Sequence, residues 1–395
     1  MKFWIRLIVG LVFLALIAWL AIPVPALKAP RPEWKVVSDA DNAWLEYHEL
    51  GKEARKAETF PDDVLPAPGK NAQVDSVRPV FDRLVKAAAR SGSQRFEEPP
   101  SVRSTDLMYV YKDEKTLVRL ALAESRRLAG AGQLKQALEL SLACYEMGAD
   151  LSEPGADLTP TLVGAQIRRR ASLVLFELLQ EPALTQAQAR AALAVVERCN
   201  QRIPSPGEAV AWDREAVARG LEDTLEDDAP PLPGLKARLQ NSVQQRVAAQ
   251  QKLLVEAMQT WDPTLVQQAQ EQAEKLRTGG LLMRDAVPEM KISLSNSLRQ
   301  MYLDRVNALA LECLAAVAAY ARQHKRLPAR LEDALAKPPV DPRTGKAPGY
   351  RVEGREAVLW YPGPDGRDDQ GKKVVSFDQR DQDDGADVVY RYQLR

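Results

Sequence analysis

The stretch 327–366, LPARLEDALAKPPVDPRTGKAPGYRVEGREAVLWYPGPDG, decides the fold, because the grammar of the chain changes inside it. Pro328, Pro338, Pro339, Pro342, Pro348, Pro362 and Pro364 exclude a further long helix, since each removes a backbone donor and fixes φ. Tyr350 and Val352, then Val358 and Trp360, alternate on either side of Gly354, the pattern of a β-hairpin. Val388-Val389-Tyr390-Arg391-Tyr392 reads as a third strand with its tyrosines on one face. A small three-stranded antiparallel sheet, packed on the helix that precedes it, is expected at this end of the chain.

Upstream the periodicity is helical. Leu298, Tyr302, Val306, Leu309, Cys313, Val317 and Tyr320 draw an apolar stripe that predicts a long helix ending near Gln323. Further helices are expected at about 158–181, at 185–200 with Thr185 as cap, at 208–226, and as a Gln-rich helix over 235–260. Leu117, Leu120, Ala121, Glu124 and Leu128 form one helical face. After Gly130 and Gly132, Leu134, Ala137, Leu140, Cys144 and Met147 form the next. This hairpin looks like a single tetratricopeptide unit, but no second copy follows at a fixed period. Near the start of the body, Ser38 or Asp39 is positioned to cap a helix running through Trp44, Leu45, Tyr47 and His48. A helix holding Val77, Phe81, Leu84 and Val85 follows a Pro-rich loop. Arg168, Arg169 and Arg170 sit mid-helix, where three consecutive residues spread over roughly 200° of arc. They are expected on a solvated face with snorkelling stems.

The N-terminal residues carry a different signal. Lys2 and Arg6 precede an uncharged run from Leu7 to Ile22, extendable to Ala26, with Trp4 and Trp19 near its ends. That is about the twenty residues a bilayer-crossing helix requires. A cleaved signal peptide would use Val24 and Ala26 as the small residues before the cut; an uncleaved anchor fits the length of the run better. Either reading exports the rest of the chain. The expectation is a single pass through a bacterial inner membrane via residues 7–26, with the bulk periplasmic or otherwise extracytoplasmic. The resulting division is 1–26 anchor or signal segment, 27–37 Pro-rich spacer, 38–284 helical body and 285–395 C-terminal module. The fold class expected is mainly α, with an N-terminal transmembrane helix, a multi-helix body and a small α+β module.

Composition narrows the function. Lys+Arg and Asp+Glu both total 54, so no net field attracts nucleic acid, which is excluded as a partner class. Cys144, Cys199 and Cys313 lack paired spacing and read as buried free thiols, with a Cys144–Cys199 bridge open in an oxidising compartment. His48 and His324 are the only histidines, and His324 suits the C-terminal end of a helix, where a cation complements the dipole. No nucleophile elbow, P-loop or dinucleotide fingerprint occurs, so no catalytic residue is assigned and no enzyme activity is expected.

The ordered set Leu327–Pro328, Asp341–Pro342, Tyr350, Gly363–Pro364–Asp365–Gly366 and Asp383–Asp384–Gly385–Ala386–Asp387 resembles the C-terminal domain of the major pseudopilins of type II secretion. The match covers about 300–395. The whole layout also resembles membrane-anchored bacterial envelope proteins with a helical body. The chain departs from pseudopilins at its start, where Met1-Lys2-Phe3-Trp4 replaces a processed Gly-Phe and the apolar run holds no glutamate; Arg343 stands where tryptophan usually follows Asp-Pro. The resemblance implies a calcium-binding loop, with Asp365 as first-loop ligand and Asp383, Asp384 or Asp387 from the second.

The residues allow the same chemistry by themselves. Asp365, Asp368, Asp369, Asp378, Asp381, Asp383, Asp384 and Asp387 crowd this segment, and Gly366, Gly371 and Gly385 allow tight backbone. Calcium takes oxygen ligands of this kind. The candidate set is Asp365, Asp368, Asp369, Asp383, Asp384 and Asp387. The competing reading is a solvated acidic loop offset by Arg367, Lys372, Lys373 and Arg380. The function expected is structural or partner-binding, at an envelope protein partner, with a calcium-stabilised module. The alternatives are a pseudopilin-like component of a secretion or pilus system and an envelope hydrolase, which would need a raised-pKa carboxylate in a polar cleft.

Overall fold

The computed structural model describes residues 37–38, 41–58, 64–90, 111–152, 158–205, 207–209, scattered positions between 241 and 271, 294–363, 366–371 and 387–394. These residues are mainly helical, with one small antiparallel sheet. Contacts divide the chain into two compact units. One comprises 35–97, 106–205 and 296–395; the other comprises 1–34, 98–105 and 206–295. In the latter, the described positions between 241 and 271 are helical, in line with the Gln-rich helix, while most of the helix expected at 208–226 lies outside the described residues. The apolar run 7–26 also lies outside them. Among the described residues, no helix is long and apolar enough to cross a membrane.

The first unit begins with α1 (Ala43–Ala54), which buries Trp44, Tyr47 and Leu50. Its cap is Asn42, whose Oδ1 accepts the Trp44 N–H at 3.1 Å. Ser38 instead bonds Asp41, so the expected cap at Ser38 or Asp39 moves inward to Asn42. Asn71 caps α2 (Ala72–Ala88), taking the Gln73 and Val74 N–H groups. The hairpin α3 (Lys112–Gly130) and α4 (Leu134–Asp150) follows, turning at Gly132, whose φ of +77° suits glycine. α5 (Leu158–Leu179) and α6 (Gln186–Arg202) complete the body. Thr185 caps α6 as expected, in a reciprocal capping box with Gln188.

α4 is the hub. Every described residue from Leu140 to Asp150 is buried, and α2, α3, α5 and α6 all pack on it. Fully burying each leucine there contributes about 1.5–3 kcal/mol. The crossing with α5 is close because Gly148 and Gly164 meet: a Cβ on Gly164 would lie 2.4 Å from the Gly148 carbonyl and 2.2 Å from Ser152 Oγ.

α7 (Leu294–His324) is the second buried axis. Its expected stripe is present, but burial extends around nearly the whole helix, including Leu311, Leu314, Ala315 and Ala318. It is walled on one side by the body, through Asn200 and Arg168, and on another by the sheet, through Tyr390 and Tyr361. The sheet has order β1-β2-β3, with β1 (Gly349–Glu353), β2 (Glu356–Tyr361) and β3 (Val388–Gln393). Tyr350 faces Leu359, and Leu359 faces Tyr390, so this row turns toward α7. Tyr390 and Tyr392 are both buried, as their shared face predicts. Asp341 organises the Asp-Pro turn: its Oδ1 accepts the N–H groups of Arg343 and Thr344, and its Oδ2 lies 2.8 Å from the Tyr302 hydroxyl of α7.

Candidate metal centre and the buried charges

Three of the candidate ligands fall within the described residues, and the charges of Asp368 and Asp369 act on Asp387. Asp368 and Asp369 lie in the loop that follows β2, and Asp387 stands at the entry to β3. The loop is shaped from both ends. Gly366 (φ +74°) donates its N–H to the Gly363 carbonyl at 2.8 Å, closing the Gly-Pro-Asp-Gly turn, and Gln370 and Gly371 also have positive φ. Asp368 Oδ1 accepts the Trp360 indole N–H at 3.0 Å and the Gln370 N–H at 2.7 Å. The Trp360 ring itself is pinned by Arg351, whose guanidinium carbon sits 5.0 Å from the ring centroid. Sequence reading places Trp360 in the hairpin but does not foresee that it anchors the acidic loop.

Asp387 is the singular member of the set. It is 1% exposed, and its Oδ2 accepts the Gly371 N–H at 2.7 Å. Its Oδ1 is buried with no hydrogen-bond partner. Burial raises its pKa above the ordinary carboxylate value; the Gly371 and Asp369 N–H groups oppose this, and the charges of Asp368 and Asp369 add to it. A buried carboxylate oxygen without a donor, in the field of two further carboxylates, is stabilised by a proton or a cation. The donor set is all oxygen, which fits a hard divalent ion. Among the described residues, no group of three or more His, Cys, Asp or Glu side chains is placed to hold a metal ion by itself. Asp365, Asp383 and Asp384 lie outside the described residues.

The body handles buried charge differently. Arg168 is 1% exposed, so the solvated face expected for the Arg168–Arg170 run is corrected for its first member. Its Nη1 donates to the Gly148 carbonyl at 2.5 Å and to Ser152 Oγ at 2.8 Å, and its Nε and Nη2 grip the carboxylate of Asp304 on α7. The glycine crossing lets the guanidinium reach the backbone of α4. Arg169 is half-buried and donates to Gln300, and Arg170 is exposed. A hydrogen-bonded chain joins α4, α6 and α7: Tyr145 donates to Asn200 Oδ1 at 2.8 Å, and Asn200 Nδ2 donates to the Ala308 carbonyl and to Glu312.

Glu114 on α3 is fully buried. Its Oε1 lies 3.1 Å from His48 Nδ1, and its Oε2 has no partner. Burial raises its pKa, while the hydrogen bond from His48 works against that rise. His48 stacks on Trp44 with ring centroids 5.8 Å apart. His324 closes α7 beside Tyr320, its ring 4.2 Å away. Cys144, Cys199 and Cys313 are free and buried, without a Cys144–Cys199 bridge. Burial pushes the Cys199 thiol up to about 12, the behaviour of an inert packing group.

No known protein family, curated protein or solved structure matches this chain.

Proposed function

We propose that the protein is a membrane-anchored extracytoplasmic component with a structural or partner-binding role, whose C-terminal module is closed by calcium. The observation that carries the calcium reading is Asp387, a buried carboxylate with one oxygen left without a donor beneath the loop of Asp368 and Asp369. Calcium would supply positive charge there. Asp387 and Asp368 would hold it, Asp365, Asp383 and Asp384 would complete the oxygen shell, and Trp360 would fix the loop around it.

The membrane reading rests on the uncharged run 7–26 behind Lys2 and Arg6. A structural role is favoured because two buried polar centres of the body act as fastenings between helices: Arg168 meets Asp304, and Asn200 meets Tyr145 and Glu312. Fractionation followed by carbonate extraction and external protease treatment tests the location. The expected result is a chain retained in the membrane pellet and digested only from the extracytoplasmic side. A chain recovered in the cytosolic fraction would overturn it.

A further inference from the structure

The two edges of the sheet are not alike. β3 is tied at its end to the body, where Gln393 donates its N–H to Gln180 Oε1 at 3.4 Å. β1 has no such partner among the described residues, and its Val352 is 40% exposed. The hairpin closes over Gly354 and Arg355, with Glu353 opposite Glu356. A two-residue connection makes that closing pair exchange both backbone bonds. Antiparallel alternation then turns the N–H and C=O of Val352 and Tyr350 outward, away from β2. An edge of this kind is a template for another strand unless the sequence blocks it.

The charges on β1 select which strand. Arg351 and Glu353 flank Val352 on the opposite face of the strand, where they pair with each other at 2.5 Å and Arg351 also donates to the Gln370 carbonyl. Their side chains are about a third and a half exposed, so their outer sides remain open to a neighbouring strand. Against most strands these charges are a barrier. Against an antiparallel copy of β1 centred on Val352 they are complementary: Arg351 falls opposite Glu353 of the second copy, Glu353 opposite Arg351 of the second copy, and the two Val352 side chains cover each other. Tyr350 falls opposite Gly354 of the second copy, where no side chain obstructs it. The Val352 pair is then of the type that exchanges both N–H···O bonds.

We propose that β1 is a self-pairing edge through which two copies of this chain form an isologous dimer about a two-fold axis at Val352, joining their sheets into one. The pairing requires neither the membrane segment nor a cation, so it stands or falls separately from the function proposed above.

Complementary charge variants of the full chain test it by sedimentation equilibrium. Glu353→Arg leaves only positive charges at these two positions, and Arg351→Glu leaves only negative ones. Each variant alone is expected to self-associate about tenfold or more weakly than the parent, because both cross-strand ion pairs become repulsions. Mixed, the two variants are expected to restore dimer as a heterodimer. Since Arg351 also packs on Trp360, circular dichroism melts confirm that each variant is folded. A second readout avoids the charges. A Val352→Cys pair would bring Cα atoms to about 5.5 Å, within disulfide range. Mild oxidation should then give covalent dimer from Val352→Cys and not from Val340→Cys, which is also exposed but lies off the strand. The native cysteines are buried and do not compete. A parent chain that stays monomeric at the highest attainable concentration would overturn the proposal. So would association that ignores the charge variants, or equal cross-linking at positions 352 and 340.

Discussion

Arg168 and Asp387 are both buried charges, and they are treated in opposite ways. The guanidinium of Arg168 donates to two backbone or side-chain oxygens and to both oxygens of Asp304, so the protein supplies its whole environment. The carboxylate of Asp387 receives backbone donors on one side and keeps Oδ1 buried and unpaired on the other. A buried charge that the chain satisfies by itself is a fastening between helices. One left half-satisfied is where the proposed cation would bind, because leaving the group bare is costly. Glu114 lies between these cases, with one oxygen at His48 and the other unpaired.

The largest effect expected from this contrast is at the closed site. Asp304→Ala removes the counter-charge and leaves a buried guanidinium, and should cost about 3–5 kcal/mol in denaturant melts. Arg168→Met combined with Asp304→Leu should cost much less than the single change, since the pair is then replaced by apolar packing. Equal losses from both would show that Arg168 is not held as described.

At the open site, Asp387→Asn should abolish a calcium stabilisation of about 2.7 kcal/mol at a hundredfold excess over the dissociation constant. Its pH dependence sharpens the case. The folded pKa of Asp387 lies above its unfolded value, so without cation its favourable contribution is complete below about pH 3.9 and is lost as pH rises through the folded value. In chelator, Asp387→Asn should flatten the decline of stability across that window; an unchanged slope would mean that Asp387 is not the titrating group.

Gly164→Ala drives a methyl into Ser152 and the Gly148 carbonyl at the crossing beneath Arg168, and should cost about 1–3 kcal/mol. A neutral result would mean that α4 and α5 separate freely there. The smallest effect belongs to Glu114. Its raised folded pKa means that its contribution is present below about pH 4.3 and is lost as pH rises through the folded value. Glu114→Gln, which keeps an acceptor for His48, should remove part of that decline and change stability near neutrality by about 1 kcal/mol or less. Urea melts across pH 4–7 would show it, and identical profiles for the two proteins would remove Glu114 from the pH response.

How much of this was readable beforehand follows the range of each interaction. The hairpin around Gly354, the tyrosine-bearing third strand and the Thr185 cap are local patterns, and all are present where expected. The cap of α1 is ambiguous in the sequence because Ser38, Asp39, Asp41 and Asn42 are all competent, and the fold uses Asn42. Arg168 was illegible because its counter-ion lies 136 residues away, and because the glycines that admit it sit on two different helices. Within the acidic segment, composition marks every aspartate equally. Only the fold separates Asp387, buried with a bare oxygen, from Asp368, whose Oδ1 serves Trp360 and Gln370. Trp360 gave no sign of this role, since alternation alone assigns it only a face of a strand.

The most direct measurement is thermal unfolding of the full chain in chelator and in millimolar calcium, for the parent and for Asp387→Asn. The parent should melt several degrees higher with calcium, and the variant should melt at the same temperature in both. A parent whose melting is identical with and without calcium, or a variant that responds as the parent does, would contradict a cation at Asp387.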